Sequence, residues 1–253
     1  MRIDTFQFQR AFCERARPLV PADQLEALPA DSFEPSNQAR RFQQMVLAVS
    51  AAAGASQVPA LAALSQEIGQ NLVSQAEDAA FADNLADQYS SLPHRQDPRV
   101  EQAWSQVAQA SQSSFPAPVV LESSFIDAQS DSREMYLGTA SLAGDMADDT
   151  ILLFTLAHEE GHRQHRDKAG VAGLEAFLAG CQGNDQLESL SFKVLREGRH
   201  QNEREADAFA AGVLAQLGCD PAPALAFLGG LEADMQHPGG HEREQLVRQA
   251  LGR

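Results

Sequence analysis

The sequence predicts an α+β protein that is mostly helical and carries a small β-hairpin or sheet near its middle. Ala and Gln are plentiful while aromatic residues make up only 6% of the chain, a composition that favours helices. Apolar residues recur at helical spacing within 42–49 and again within 61–72. The composition changes at 118–126, where apolar and β-branched residues predict a strand. A polar turn at 127–132 and a second strand at 133–142 would complete a hairpin.

The second half of the chain carries the start and stop signals of four further helices. Asp148 or Asp149 is a suitable N-cap for the first of them. Gly218 is a suitable C-terminal stop for the second, and Pro221 follows it closely. The four helices are predicted at 151–168, 186–217, 221–231 and 242–251.

Two domains are expected from the change in composition along the chain. Residues 1–95 form a predicted helical N-terminal extension in which prolines mark the helix boundaries and no cluster of reactive side chains occurs. Residues 96–253 hold the predicted strands and every candidate site residue. We therefore expect the extension to cover or regulate a site that the second domain contains.

The charge balance limits the kinds of partner. The chain has 19 basic and 35 acidic residues, which gives a formal net charge of −16. Such a surface repels nucleic acid and anionic membranes, so we expect neither as a partner. No segment is long and apolar enough to span a bilayer, so we expect no integral membrane association.

Cysteine usage and the N-terminus favour a cytoplasmic protein. Cys13, Cys181 and Cys219 are odd in number and match neither a disulfide framework nor a zinc knuckle, as expected of free thiols in a reducing compartment. The first residues lack the apolar core of a signal peptide. The alternative is a periplasmic protein whose true start lies near Met45, because two arginines precede an apolar run there.

One short motif carries recognisable chemistry. His158 and His162 are four residues apart, so a helix places them one turn apart on the same face, where two imidazoles can hold one Zn²⁺. Glu159, beside the first histidine, could act as general base towards a water at the metal. The preceding run 151–157 is apolar nearly all round, which indicates that the helix leaves the core where this motif begins.

A second motif supplies the remaining groups that a catalytic zinc site needs. Glu203 lies 41 residues after His162 and could be the third metal ligand. Asp207 lies one helical turn later and could accept a hydrogen bond from a ligand imidazole. Glu-rich helices are common without any such role, so the pairing with the first motif carries the interpretation.

At this point the chain resembles the M48 family of zinc metallopeptidases, which are gluzincins. Four ordered motifs within about 117–253 carry the resemblance. They are Leu156-Ala-His-Glu-Glu-Gly-His162, Glu203-Arg-Glu-Ala-Asp207, Gly218-Cys-Asp-Pro221 and His237-Pro-Gly-Gly-His-Glu-Arg243.

The resemblance implies a zincin-like metallopeptidase core with one zinc ion per chain and a protein or peptide substrate. It also implies that His237 lies near the open coordination position and donates to the developing oxyanion, while Arg243 pairs with a carboxylate of the site. The family usually has Asn-Ala-Phe before the substrate-binding strand, whereas this chain has Asp127-Ala128-Gln129. The substrate-binding edge is therefore where this chain departs from the family.

Three interpretations of the sequence remain open. The first is a zinc-dependent endopeptidase that binds an extended peptide along the edge of the hairpin. The second is a metal-stabilised binding or chaperone-like module with little or no proteolysis. The third is a chance motif on a structural helical protein. Glu159 favours the first, because a non-catalytic descendant often loses its general base.

Overall fold

A computed structural model of the chain describes residues 82–83, 85–124, 128–165 and 185–252. The predicted extension lies outside the described residues as far as position 81, and so does the possible second start near Met45. The division into domains at residue 95 therefore stays a prediction. The described residues within 78–168 and 202–253 belong to one compact unit, and those within 185–201 belong to another.

The described part of the chain is mostly helical with a small mixed sheet, so the α+β prediction is confirmed. A short helical segment at 85–89 precedes the first strand, and a 3₁₀ turn covers Asp145–Ala147. The strands are β1 (His94–Arg95), β2 (Val119–Leu121), β3 (Ala128–Ser130) and β4 (Met135–Gly138). The helices are α1 (Pro98–Ser111), α2 (Thr139–Ala143), α3 (Asp149–His165), α4 (Asp185–Leu217), α5 (Ala222–Gly229) and α6 (Gly240–Ala250).

The termini of the two long helices follow the signals in the sequence. Asp148 precedes α3, and its Oδ1 accepts hydrogen bonds from the backbone N–H groups of Thr150 and Ile151 at 2.8 and 3.2 Å. Gly218 follows α4 with a φ of +67°, a left-handed conformation that glycine adopts without steric cost. The N–H of Cys219 then bonds the carbonyl of Leu214 and closes the helix.

The four strands lie in the order β1-β2-β4-β3, and this order corrects the predicted hairpin. The segments at 118–126 and 133–142 were expected to pair with each other as antiparallel neighbours. Their strands β2 and β4 are parallel instead, with Val120 opposite Leu137. The antiparallel hairpin is formed by β3 and β4, where Ser130 lies opposite Met135.

The predicted hairpin is wrong because β3 lies within 127–132, the segment that the sequence predicts as a polar turn. Ser130 and Asp131 are polar, yet both are buried. The Oδ1 atom of Asp131 accepts hydrogen bonds from the N–H groups of Arg133 and Glu134 at 2.6 and 2.8 Å. This turn, made by the Asp131 side chain, begins where β3 ends. It is therefore shorter than the predicted turn and lies later in the sequence.

Alternate residues of β2 and β4 face opposite sides of the sheet. Val120 and Leu137 belong to the main core, which also contains the apolar residues of α1, α3, α4 and α5. Leu121 and Tyr136 pack with Tyr89 in a smaller cluster. Helix α3 enters the main core, and every residue from Leu152 to Gly161 is buried. The buried run ends within the His-Glu-Glu-Gly-His motif, which therefore lies at the boundary between core and solvent.

Among the residues that the structure describes, no helix combines the length and the apolar character needed to cross a bilayer.

Candidate metal centre

Two histidines of α3 form one side of a candidate metal centre. Their Nε2 atoms are 3.0 Å apart, as the four-residue spacing on one helical face requires. Both side chains are nearly buried, with exposed fractions of 10% for His158 and 13% for His162. They are held at this depth because the apolar first half of α3 anchors the helix in the core.

Glu203 of α4 completes the cluster. Its Oε2 lies 3.3 Å from Nε2 of His158, and its Oε1 lies 3.3 Å from Nε2 of His162. Ligands that sit about 2.0–2.1 Å from a tetrahedral zinc ion are about 3.3 Å from one another, so these separations fit such an ion. The three side chains form a buried group that could hold a metal ion.

A glycine allows α3 and α4 to approach closely enough for this cluster to form. Gly161 faces Ala206, and a Cβ on Gly161 would lie 3.0 Å from the Cα of Ala206 and 3.3 Å from the Cβ of Phe209. Only a residue without a side chain fits this contact without movement of a helix. Since Glu203 is one turn before Ala206 on α4, the same contact sets the distance from Glu203 to the histidines.

Asp207 and Arg243 contact residues of this cluster. Asp207 Oδ1 lies 2.9 Å from Nδ1 of His158, which leaves Nε2 of that ring to face Glu203. Arg243 of α6 donates two hydrogen bonds of 2.7 Å to the carboxylate of Asp207. Its Nη2 is also 3.4 Å from Glu203 Oε2. The side chains of Asp207, Arg243 and Glu203 are buried or nearly so, and their charges therefore interact strongly.

Helix α6 reaches Asp207 because its first residue is a glycine. A Cβ on Gly240 would overlap the carbonyl oxygen of Leu228, and the N–H of Gly240 bonds the carbonyl of Leu231. The start of α6 is therefore packed directly on the backbone at the end of α5. This close approach fixes the position of Arg243, one turn into the helix.

The pKa values in the cluster follow from burial and from its charge partners. Burial is the largest single effect and by itself raises the pKa of Asp207, but the hydrogen bonds from Arg243 and His158 outweigh it and hold that pKa below its usual range. Burial likewise opposes ionisation of Glu203, yet the imidazoles of His158 and His162 lower the pKa of this carboxyl group. Both carboxylates are thus ionised at neutral pH.

The formal charge of the cluster suits a divalent cation. Glu159, Glu203 and Asp207 are three buried carboxylates, and Arg243 is the cation bonded among them. Burial lowers the pKa of His158, but Asp207 and Glu203 outweigh it and raise that pKa, so the cluster favours positive charge beside its imidazoles. A divalent ion held by His158, His162 and Glu203 would supply that charge, and two imidazoles with one carboxylate are a ligand set that zinc favours.

Glu159 is held by a residue that the sequence analysis missed. The hydroxyl of Ser130, on β3, donates to Glu159 Oε2 at 2.6 Å and lies 3.1 Å from the carbonyl oxygen of the same residue. Ser130 precedes Glu159 by 29 residues and belongs to no spacing pattern, so no signal in the sequence pointed to it. Glu159 is also close enough to Arg243 to raise the pKa of that guanidinium together with Asp207 and Glu203.

His237 lies at the rim of the cluster. Its Nε2 is 4.0 Å from Glu203 Oε1, and its side chain is 41% exposed. On the other side of the ring, Nδ1 is 3.0 Å from Asp234 Oδ2. Asp234 also accepts hydrogen bonds from the backbone N–H groups of Gln236 and His237, which forms the turn that presents the ring. Asp234 is the second residue that the sequence analysis did not single out.

The structure thus brings the sequence-predicted site residues together within one compact unit. Comparisons with models of known protein families and with curated proteins give no match for this chain. The site is therefore interpreted from its own geometry.

Proposed function

We propose that the protein is a zinc-dependent endopeptidase with a zincin-like catalytic domain of the M48 type. The observation that carries the proposal is the buried group of His158, His162 and Glu203 with Glu159 next to its first member. The support from Asp207 and Arg243 adds to it, because a carboxylate bonded to a ligand imidazole is typical of metal centres. The metal we expect is one Zn²⁺ per chain.

The residues of the site divide the chemistry among them. A zinc ion, when bound, would supply Lewis acidity that activates a water molecule and polarises the substrate carbonyl. Glu159 would accept the proton of the attacking water and later deliver it to the departing amine. In the imidazolium form, which carries a hydrogen on each ring nitrogen, His237 would donate from Nε2 to the oxygen on which negative charge develops while Nδ1 donates to Asp234.

We further propose that the substrate is an extended peptide that adds to the edge of the sheet. Within the described residues, β3 pairs with β4 alone, so one edge of β3 is available for main-chain hydrogen bonds. Ser130 joins β3 to Glu159 of α3, so a peptide on that edge would run close to the general base. Gln129 of β3 stands where the family usually has Phe, so the side-chain preference of this edge is expected to differ as well.

The experiment compares wild type with Glu159→Gln in zinc content and in cleavage of casein. We expect both proteins to bind one zinc ion and only the wild type to cleave, since glutamine cannot accept the proton. Glu101→Gln, at an exposed position of α1, is the matched control and is expected to cleave like the wild type.

The same experiment separates the alternatives. Equal cleavage by the wild type and Glu159→Gln would remove Glu159 from the role of general base. Zinc binding without cleavage by the wild type would support the metal-stabilised binding module instead. Purified protein without zinc and without metal-dependent stabilisation would overturn both.

A further inference from the structure

We propose that Ser130 is a positioning residue that aims the carboxylate of Glu159 and couples it to the edge strand β3. This inference rests on the proposed peptidase function and names a residue that the sequence motifs do not contain. It concerns how the general base is held, and it extends to the length of substrate that the site would cleave fastest.

The first step of the argument is the hydrogen bond itself. Ser130 is only 1% exposed, so its hydroxyl has little access to water and is directed to Glu159. The hydroxyl has one hydrogen, and the 2.6 Å distance to Oε2 is shorter than the 3.1 Å distance to the backbone carbonyl. The hydroxyl proton therefore goes to Oε2, so the bond with Ser130 engages one oxygen of the carboxylate and leaves both lone pairs of Oε1 to other donors.

The second step is that Ser130 is itself firmly placed. On the neighbouring residue of β3, the Gln129 side chain accepts a 2.6 Å hydrogen bond from the hydroxyl of Tyr89. Beyond Ser130, the turn is held by Arg163 of α3, whose Nη2 donates to the carbonyl of Arg133 at 2.9 Å. The serine is thus fixed by contacts on both sides along the hairpin, and a displacement of β3 would reach Glu159 through a single hydrogen bond.

The third step concerns the substrate. A peptide long enough to pair with all three residues of β3 restrains that strand more than a peptide that pairs with one of them. Binding energy from residues remote from the scissile bond would then improve the position of Glu159, and this gain appears in kcat as well as in KM. We therefore expect longer extended peptides to be cleaved with higher kcat, and we expect this dependence to need Ser130.

The main experiment measures kcat, KM and zinc content for wild type, Ser130→Ala and Ser130→Thr. The alanine variant is expected to lose about 10- to 100-fold in kcat with KM changed by less than about threefold, because a misplaced base affects the chemical step. The threonine variant retains a hydroxyl and is expected to recover most of the loss. Ser132→Ala, in the turn after β3, is the matched control and is expected to keep wild-type kcat.

A series of peptides of increasing length tests the coupling. In the wild type, kcat is expected to rise with length, whereas in Ser130→Ala only KM is expected to change. A kcat that rises equally with length in both proteins would overturn the coupling. Wild-type kcat in Ser130→Ala would overturn the positioning role, provided that Glu159→Gln is inactive. An active Glu159→Gln would instead show that the proposed function has failed.

A third measurement needs neither metal nor activity. Urea unfolding of chelated wild type, Ser130→Ala, Glu159→Ala and the double variant forms a double-mutant cycle. We expect the shifts of the unfolding midpoint to be non-additive, because each single variant breaks the same hydrogen bond. Additive shifts would mean that the two side chains do not interact in the folded protein, and would overturn the proposal at its first step.

Discussion

At the scale of single residues, the candidate metal centre is organised around the two nitrogens of His158. Nε2 faces Glu203, while Nδ1 faces Asp207, which Arg243 holds in turn. A carboxylate beside Nδ1 favours the form in which Nδ1 carries a proton. Asp207 is the residue on which this arrangement depends most, because it is fully buried, lies 2.9 Å from Nδ1 of His158 and accepts two hydrogen bonds from Arg243.

Replacing Asp207 tests that dependence. In Asp207→Ala, the guanidinium of Arg243 would remain buried without its main partner, and the free energy of unfolding is expected to fall by about 3–5 kcal/mol. Asp207→Asn keeps the shape of the side chain and is expected to weaken zinc binding by about 10- to 100-fold. Urea unfolding of chelated protein and chelator competition measure the two effects.

The control for these variants is Asp149→Asn at the start of α3. The Asp149 side chain is 80% exposed and pairs with Arg99, so the expected loss is below about 1 kcal/mol with no change in zinc affinity. A loss in Asp207→Ala no larger than that of the control would contradict the role assigned to Asp207.

The residues of the candidate centre could largely be predicted from the sequence, because helical spacing alone places them. His158 with His162, and Glu203 with Asp207, are pairs four residues apart on one face of a helix. Ser130 and Asp234 could not be found in this way. Each reaches its partner through a local turn or a strand edge, and neither geometry leaves a periodic pattern in the sequence.

At the scale of secondary-structure elements, the close approach of α3 and α4 determines whether the ligands meet. Glycine normally weakens a helix, so its presence at position 161 indicates a steric requirement. The contact with Ala206 supplies that requirement, since an added Cβ would be 3.0 Å from a backbone atom that cannot move alone.

Gly161→Ala is therefore expected to weaken zinc binding and to destabilise the protein by about 1–3 kcal/mol through overpacking. Gly212→Ala, on α4, is the matched control, because nothing lies within 4 Å of the added Cβ. This control is expected to gain about 0.5–1 kcal/mol from lower chain entropy, with unchanged zinc affinity. Thermal unfolding measures the stability of both variants, and chelator competition measures their zinc affinity. Equal stability and equal zinc affinity of the two variants would contradict the steric argument.

The helices were predictable at this scale and the strand pairing was not. Apolar periodicity with caps such as Asp148 and Gly218 located α3, α4, α5 and α6 to within a few residues, whereas α2 begins within the segment 133–142 that the sequence predicts as a strand. Strand β3 has no apolar signal, because Ser130 is buried for its hydrogen bond with Glu159. A three-residue strand whose burial depends on a partner 29 positions away cannot be recognised from local sequence.

At the scale of the whole molecule, zinc would link two segments that are distant in the chain. Its ligands would lie on α3 and α4. A ligand that binds only the folded state raises the free energy of unfolding according to its concentration and affinity.

Removing the metal is therefore expected to destabilise the protein. At free zinc about 1,000-fold above the dissociation constant, binding adds about 4 kcal/mol, which corresponds to a rise in Tm of about 10 °C for a chain of this size. Differential scanning calorimetry with zinc and with a chelator measures the shift. Glu203→Gln is expected to show a much smaller shift in Tm between zinc and chelator. An equal Tm for the wild type with zinc and with chelator would rule out a stabilising metal.

The small size of the sheet has a consequence for how the protein resists aggregation. Within the described residues, its outer strands are β1 with two residues and β3 with three. A strand edge is a template for other chains, and a long flat edge invites the growth of fibrils. An edge of three residues offers too few main-chain hydrogen bonds to hold another copy of the chain by itself. The proposed peptide substrate could therefore pair with this edge and leave again, whereas stable edge-to-edge pairing with another sheet is disfavoured.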